Sequence, residues 1–232
     1  MGDSPKHLAV ILDGNRRYAK RLGIKPWEGH KVGFDKLNDF FNWCYDLGIT
    51  ELTLYALSMQ NLERDKVELE FLYGIFERAC DEVLKSEDVK NREVKVSFLG
   101  NRHLLPKSLQ KKMLEVEAET SHYKKLKLNI AMAYGGREEI VEAVKKIAIK
   151  VMEGELDPGK IDIKLLNDNL WLTTEPDLVI RPGGEMRMSN FFPWQTIYSE
   201  WFFIDKLWPE FEKEDLERII AEYVKREKRR GK

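Results

Sequence analysis

The strongest constraint on this chain is an alternation. Six short apolar runs, at residues 7–12, 49–57, 94–99, 126–133, 177–180 and 197–204, are each followed, except the fifth, by a stretch whose apolar residues recur at helical spacing. Leu37, Phe40, Phe41, Cys44 and Leu47 lie on one helical face, and Gly48 is a natural stop. Residues 65–84 carry Phe71, Leu72, Ile75, Phe76, Ala79 and Val83 at the same spacing, with Asp65 and Glu68 reading as a capping box. Leu109, Met113, Val116 and Thr120 mark a third helix, Ile140 to Val151 a fourth and Leu216 to Val224 a fifth. Strands that alternate with helices predict an α/β domain with a mostly parallel sheet. At 232 residues the chain is long enough for one large core and short for two, so 1–232 reads as a single domain.

In such sheets ligands bind beyond the carboxyl ends of the strands. The segments there are Asp13-Gly14-Asn15-Arg16-Arg17, Ser58-Met59-Gln60-Asn61, Gly135-Gly136-Arg137, Arg181-Pro182-Gly183-Gly184 and Asp205. Most of the unusual polar residues therefore collect on one rim, which predicts the active site. Asp13-Gly14-Asn15 precedes a helix start, where free N–H groups and the dipole attract phosphates. Arg16 and Arg17 add charge-assisted donors. Asp13 beside such a site implies either an Asx turn capping the helix or a cation, with magnesium bridging carboxylate and diphosphate. The stretch Arg181 to Asn190 sets arginines around a Gly-Gly turn, and Ser189 follows Arg187 by two residues. That loop predicts a fold around one diphosphate. Glu200, in an aromatic strand, either meets an arginine or binds metal. The loop Ser58 to Arg64 reads as a second phosphate site or an ordinary loop, and His30 as a helix cap.

Lys and Arg number 39 against 40 Asp and Glu, a balance that excludes generic nucleic-acid binding. The basic stretch 225–232 is either a solvated helix end or a contact for phosphates or anionic lipid. Two cysteines at inward helical positions, Cys44 and Cys80, fit a reducing compartment and no disulfide framework. The start of the chain shows no secretory signal region, and no apolar run reaches the ~18–20 residues a bilayer span needs. The remaining histidines, His7, His103 and His122, share no metal-ligand spacing with the cysteines, and no Walker loop, dinucleotide fingerprint or nucleophile elbow is present. Two anion sites plus carboxylates for magnesium favour chemistry on two phosphorylated substrates.

These residues resemble the cis-prenyltransferases, the family of undecaprenyl diphosphate synthase. The markers are residues 13–20, Gly29-His30-Lys31-Val32-Gly33, Leu52 to Ser58, Ala133 to Arg137, Arg181 to Phe191, Tyr198-Ser199-Glu200 and Leu207-Trp208-Pro209, spread in order over nearly the whole chain. The resemblance implies a six-stranded, mainly parallel sheet with a hydrophobic tunnel for the growing chain, a homodimer, and condensation of isopentenyl diphosphate with an allylic diphosphate, farnesyl or geranylgeranyl. The long-chain cis-polyprenyl product would be the precursor of a glycosyl carrier lipid. It implies Asp13 as magnesium ligand and catalytic residue, Asn61 in proton removal, and Glu200 as a metal-associated carboxylate. Gly14, Asn15, Arg16, Arg17, Tyr18 and His30 correspond to the allylic site; Ser58, Met59, Gln60, Leu62 and Arg64 to substrate-contacting positions; Arg181, Arg187, Met188 and Ser189 to the isopentenyl diphosphate pocket. Arg229-Arg230-Gly231 resembles an element reaching the partner subunit's site. A cytoplasmic enzyme with peripheral membrane contact for its lipid product follows.

The sequence departs from the family pattern in places. Arg16 stands where bacterial members commonly have glycine, and Asn15-Arg16-Arg17-Tyr18 looks more like archaeal and eukaryotic members. Gln60 and Leu62 replace common Glu and Trp, and Pro26 replaces a basic residue. Two rivals are a non-catalytic partner subunit, which retention of Asp13, Arg181, Arg187 and Ser189 argues against, and a transferase using an alcohol acceptor.

Overall fold

The computed structural model describes residues 4–226. In chain order it runs β1 (His7–Ile11), α1 (Asn15–Leu22), α2 (Pro26–Asp46), β2 (Glu51–Ser58), α3 (Lys66–Lys85), α4 (Glu87–Asn91), β3 (Val94–Leu99), α5 (Lys107–Thr120), β4 (Leu126–Tyr134), α6 (Gly136–Met152), α7 (Ile163–Asn169), β5 (Leu178–Pro182), β6 (Glu200–Ile204) and α8 (Lys213–Lys225). The strands form one sheet in the order β3-β4-β2-β1-β5-β6. Every neighbouring pair is parallel, so the expected mostly parallel sheet is parallel throughout.

Both faces of the sheet are covered, as parallel strands require. Leu8 and Val10 of β1, Leu52 and Leu54 of β2, and Leu178 and Ile180 of β5 enter one core with Phe40, Leu72, Leu109 and Leu216. The alternate residues Ala9, Ile11, Tyr55 and Val179 face a smaller core with Tyr134, Phe191 and Phe192. This two-sided burial explains why the runs read as continuously apolar.

Helix α2 begins with Pro26, whose missing N–H costs nothing at a first turn. It ends where Ile49 donates back to the Cys44 carbonyl across Gly48, which adopts φ 77°. His30 lies in the second turn of this helix and caps nothing. Asp65 caps α3 through the Val67 amide, but Glu68 does not complete the expected box; its side chain turns inward. The aromatic run 197–204 is shorter as a strand than the sequence suggests, because residues 195–198 form turns. Both cysteines are buried and free.

The strand order reverses direction at β1, with β2 on one side and β5 on the other. That switch leaves a crevice at the carboxyl end of β1, where neighbouring connections depart to opposite faces. Asp13 follows β1 directly at this crevice, and Arg181 and Pro182 end β5 beside it.

Candidate active site

Asp13 is the hub of the crevice. Its Oδ2 accepts from Arg181 Nη2 at 2.9 Å and its Oδ1 from Arg17 Nη2 at 3.1 Å. Arg17 also donates to the Gly183 carbonyl at 2.6 Å and lies 3.7 Å from Glu185, which pairs with Arg187. Arg181 is 3% exposed, and its other fork arm reaches the Ser189 hydroxyl at 2.7 Å and the Arg187 carbonyl. The sheet edge thus brings together Asp13, Arg17, Arg181, Arg187 and Ser189 from two separate segments, 13–17 and 181–189. A side chain on Gly183 would collide with the Arg17 guanidinium, and its φ of 101° favours glycine besides.

Of the two readings of Asp13-Gly14-Asn15, the geometry removes the Asx cap. Gly14 is the N-cap of α1, left-handed at φ 107°, with no side chain capping the helix. The Asp13 carboxylate faces the arginines instead. Two buried atoms lining the crevice have no partner among the described residues, Arg181 Nε and Asn15 Oδ1.

The opposite wall holds His30 and Arg64, with Arg16 outside the lining near them. Gly29 and Gly33 let α1 and α2 approach, since a Cβ at either would overlap Asn15. This contact fixes His30 on the mouth. Glu68 Oε1 receives His30 Nε2 at 3.0 Å and Arg64 Nη1 at 3.1 Å, with Arg16 Nε at 3.7 Å. Burial pushes the His30 pKa below its ordinary value; the Glu68 bond opposes this and does not overcome it. His30 is therefore neutral at neutral pH. Ser58 and Asn61 bond reciprocally, backbone to side chain, and cap the 3-10 turn Met59–Glu63.

A cavity of about 1160 Å³ opens at this rim and runs inward between the sheet and helices α2 and α3. Asp13, Asn15, His30, Ser58, Gln60, Asn61, Arg64, Arg181 and Ser189 form its polar mouth. Leu54, Ala56, Leu72, Ile75, Phe76 and Ala79 line its apolar interior. Its walls reach Thr50, before β2 begins, and Ser58, where β2 ends. Eight strand residues at ~3.3 Å each span roughly 26 Å. On the apolar face of α3, Leu72, Ile75 and Phe76 line the cavity, and Phe71 is not among its lining residues. Met59 and Leu62 pack on the main core beside it.

Other expected residues sit elsewhere. Glu200 begins β6, at the opposite sheet edge from Asp13, roughly 16 Å along the strand by its rise per residue. It pairs with Arg226 at 2.7 Å, which also stacks 3.9 Å from the Phe202 ring. The arginine partner is thus the reading the structure shows, and one chain does not bring Glu200 to Asp13. Tyr18 and Met188 flank the rim without lining the cavity, and Gly231 lies outside the described residues.

Three positions that hold the site's segments together escaped the sequence. Glu68 could have been found as the lone acid on the stripe Glu68-Leu72-Ile75-Ala79, four residues after Arg64. Asn190 ties the Ser189 loop to α6, its carbonyl and Oδ1 accepting from the Gly136 and Arg137 amides and its amide donating to Glu138. Ser189 and Asn190 both hold positive φ, 50° and 61°. Tyr55 donates to the Tyr134 carbonyl at 3.1 Å from below, and burial keeps its phenol protonated.

Residues 11–231 match the family model described as putative undecaprenyl diphosphate synthase. This chain belongs to the cis-prenyltransferase family. Its relatives include the geranylgeranyl-diphosphate-specific tritrans,polycis-undecaprenyl-diphosphate synthases of Methanopyrus kandleri, 46% identical over all of this chain and 86% of that one, and Pyrococcus abyssi, 47% identical over all of this chain and 88% of that one. Among solved structures, lavandulyl diphosphate synthase from Lavandula x intermedia, in complex with dimethylallyl diphosphate, superposes with a TM-score of 0.92 at 38% identity over 99% of both chains. A probable undecaprenyl diphosphate synthase from Campylobacter jejuni gives 0.82 at 32% identity over both full chains. The enzyme is a prenyltransferase, and the cavity mouth described above is its active-site candidate. Among the described residues no helix is long and apolar enough to cross a membrane.

Proposed function

We propose that this prenyltransferase extends geranylgeranyl diphosphate, in preference to farnesyl diphosphate, with isopentenyl diphosphate to a long polycis-polyprenyl diphosphate. The observation that carries this reading is the cavity: a polar, cation-rich mouth opens on a long apolar interior, matching an anionic head and a hydrocarbon tail. The primer preference rests on the geranylgeranyl-diphosphate-specific naming of the archaeal relatives.

The allylic diphosphate sits against the uncapped start of α1, with Arg16, Arg17 and Arg64 as donors and the His30 ring beside them. Isopentenyl diphosphate takes Arg181 and Ser189, with Arg187 at the outer edge. The allylic carbon–oxygen bond breaks, the homoallylic terminal carbon forms the new carbon–carbon bond, and proton loss leaves a cis double bond and free pyrophosphate. Ser58 orients Asn61 beside the reacting carbons, where it assists proton removal. The apolar wall holds water away from the allylic cation.

Among the described residues no group of three or more acidic, His or Cys side chains can hold a metal by itself. Asp13 nonetheless fits magnesium, which commonly takes one or two carboxylates and completes its sphere with substrate phosphates and water. Its carboxylate is a hard oxygen donor at the partly exposed mouth, 27% accessible, among the phosphate-binding arginines. Glu200, across the sheet and held by Arg226, does not fit the same ion within this chain. Bound there, magnesium supplies positive charge to the departing diphosphate.

A homodimer is supported by edge strand β6, flanked by Ile197 and Tyr198 at 69% and 63% exposure. A cytoplasmic enzyme that touches the membrane peripherally, and a product serving as glycosyl carrier precursor, complete the proposal.

The test supplies labelled isopentenyl diphosphate, magnesium and each primer to the purified chain, then separates products by chromatography. Long labelled products, formed faster from geranylgeranyl diphosphate, are expected. No incorporation with either primer overturns the reading.

A further inference from the structure

Glu68 is 5% exposed, on the first turn of the helix that walls the cavity. One of its oxygens gathers three cationic or proton-bearing groups from three segments: Arg16 of α1, His30 of α2 and Arg64 before α3. His30 and Arg64 line the cavity mouth on the other side. An acid near a phosphate site ought to repel the ligand. Here Glu68 is not among the residues lining the cavity, and its oxygen is turned to these three groups instead. Such a group serves the site by holding donors apart at a fixed spacing.

We propose that Glu68 is the positioning residue of a diphosphate cradle made by Arg16, His30 and Arg64. Its carboxylate keeps the two guanidinium donors and the His30 ring arranged before substrate arrives, as a resident stand-in for a phosphate oxygen. Because Glu68 belongs to α3, it also fixes the cradle to the wall along which the prenyl tail lies. The inference rests on the diphosphate reading of the site given above.

Substitution Glu68→Gln separates positioning from charge by the sign of its effect. Losing the acid makes the pocket one unit more positive. If Glu68 only weakens the local field, inorganic pyrophosphate binds the variant more tightly. If Glu68 positions the cradle, pyrophosphate binds about tenfold more weakly (~1.4 kcal/mol) despite the added positive charge. Titration calorimetry with inorganic pyrophosphate reads this directly. The KM for the allylic primer should rise in parallel, with the KM for isopentenyl diphosphate unchanged, because Arg181 and Ser189 hang from other elements. NMR titration of His30 should show its pKa falling further, since the Glu68 bond favours the protonated ring. Glu68→Asp, which keeps the charge one methylene back, should lie between parent and Gln variant, and serves if the Gln variant does not fold. Equal or tighter pyrophosphate binding by a folded variant overturns the inference and leaves the proposed activity standing. A parent enzyme that neither binds pyrophosphate nor condenses prenyl diphosphates overturns both.

Discussion

Arg181→Lys tests whether the second pocket depends on charge or on the guanidinium fork. Arg181 uses both arms at once: Nη2 on Asp13 at 2.9 Å, and Nη1 on the Ser189 hydroxyl at 2.7 Å and the Arg187 carbonyl. A lysine ammonium is a point charge and keeps the Asp13 contact while giving up the two bonds to the loop. Hydrogen bonds to a charged group contribute ~1.5 kcal/mol each at the low end, so the loss is about 3 kcal/mol. Some of that appears as lower stability and the rest as a poorer transition state. At 1.36 kcal/mol per decade, kcat/KM for isopentenyl diphosphate should fall between about 10- and 150-fold. The KM for the allylic primer should hold, because Arg16, Arg17 and His30 are untouched. The assay varies labelled isopentenyl diphosphate at saturating primer, with a parallel thermal melt. Activity within threefold of the parent, at an unchanged melting temperature, refutes the fork argument.

Four further outcomes follow from the same structure. Asp13→Asn should lower turnover about 10²- to 10³-fold, the range for losing one electrostatic group at a developing charge, as initial rates would show. Gly136→Ala places a Cβ 2.0 Å from the Pro193 ring and should destabilise the fold by about 1–3 kcal/mol, visible as a melting temperature lower by several degrees. Ala79→Phe, halfway along the cavity wall, should shorten the products on chromatography while primer is still consumed. Melting temperature should fall as pH drops below about 6.5, because burial holds the folded His7 and His30 pKa values below the unfolded value and only the unfolded chain takes up those protons. His7 faces Thr53, Glu51, Asp177, Lys127 and the Glu175 backbone, and His7→Asn should flatten part of that slope.

The sheet was legible because parallel strands buried on both faces spell themselves as unbroken apolar runs, and the rim followed from strand polarity alone. Asp13, Arg181 and Ser189 were legible for the same reason: a strand's carboxyl end fixes where its next residues stand. Glu200 was not. It lies at a strand's amino end, and the alternation that finds a strand carries no signal for which edge a polar residue within an aromatic run occupies. Its pairing with Arg226 is a contact between β6 and the end of α8, set by packing of distant segments. Glu68 was misread because its spacing from Asp65 satisfies a capping box, while its position on the buried stripe of α3 satisfies a competing demand. The two bonds offered by Arg64 and His30 won over one to a solvated backbone amide. Asn190 was hidden because its role depends on Gly135 and Gly136 allowing the loop to seat against α6, a fit that exists only in three dimensions.

The charge arrangement at the mouth explains how an enzyme can keep so many cations together without a ligand. Arg17 and Arg181 rest on Asp13, while Arg16, His30 and Arg64 rest on Glu68. Each group of donors therefore has one carboxylate at its centre, and mutual repulsion among the guanidinium groups is offset before substrate binds. The two centres differ in burial: the Asp13 side chain is 27% exposed and the Glu68 side chain 6%. Solvent reaches the first, which screens its contacts with the two arginines. The second is sealed, where removing a partner from a buried charge is far more expensive. On the function proposed above, this difference in burial makes Asp13 the carboxylate that can exchange partners and Glu68 the one that keeps its donors in place.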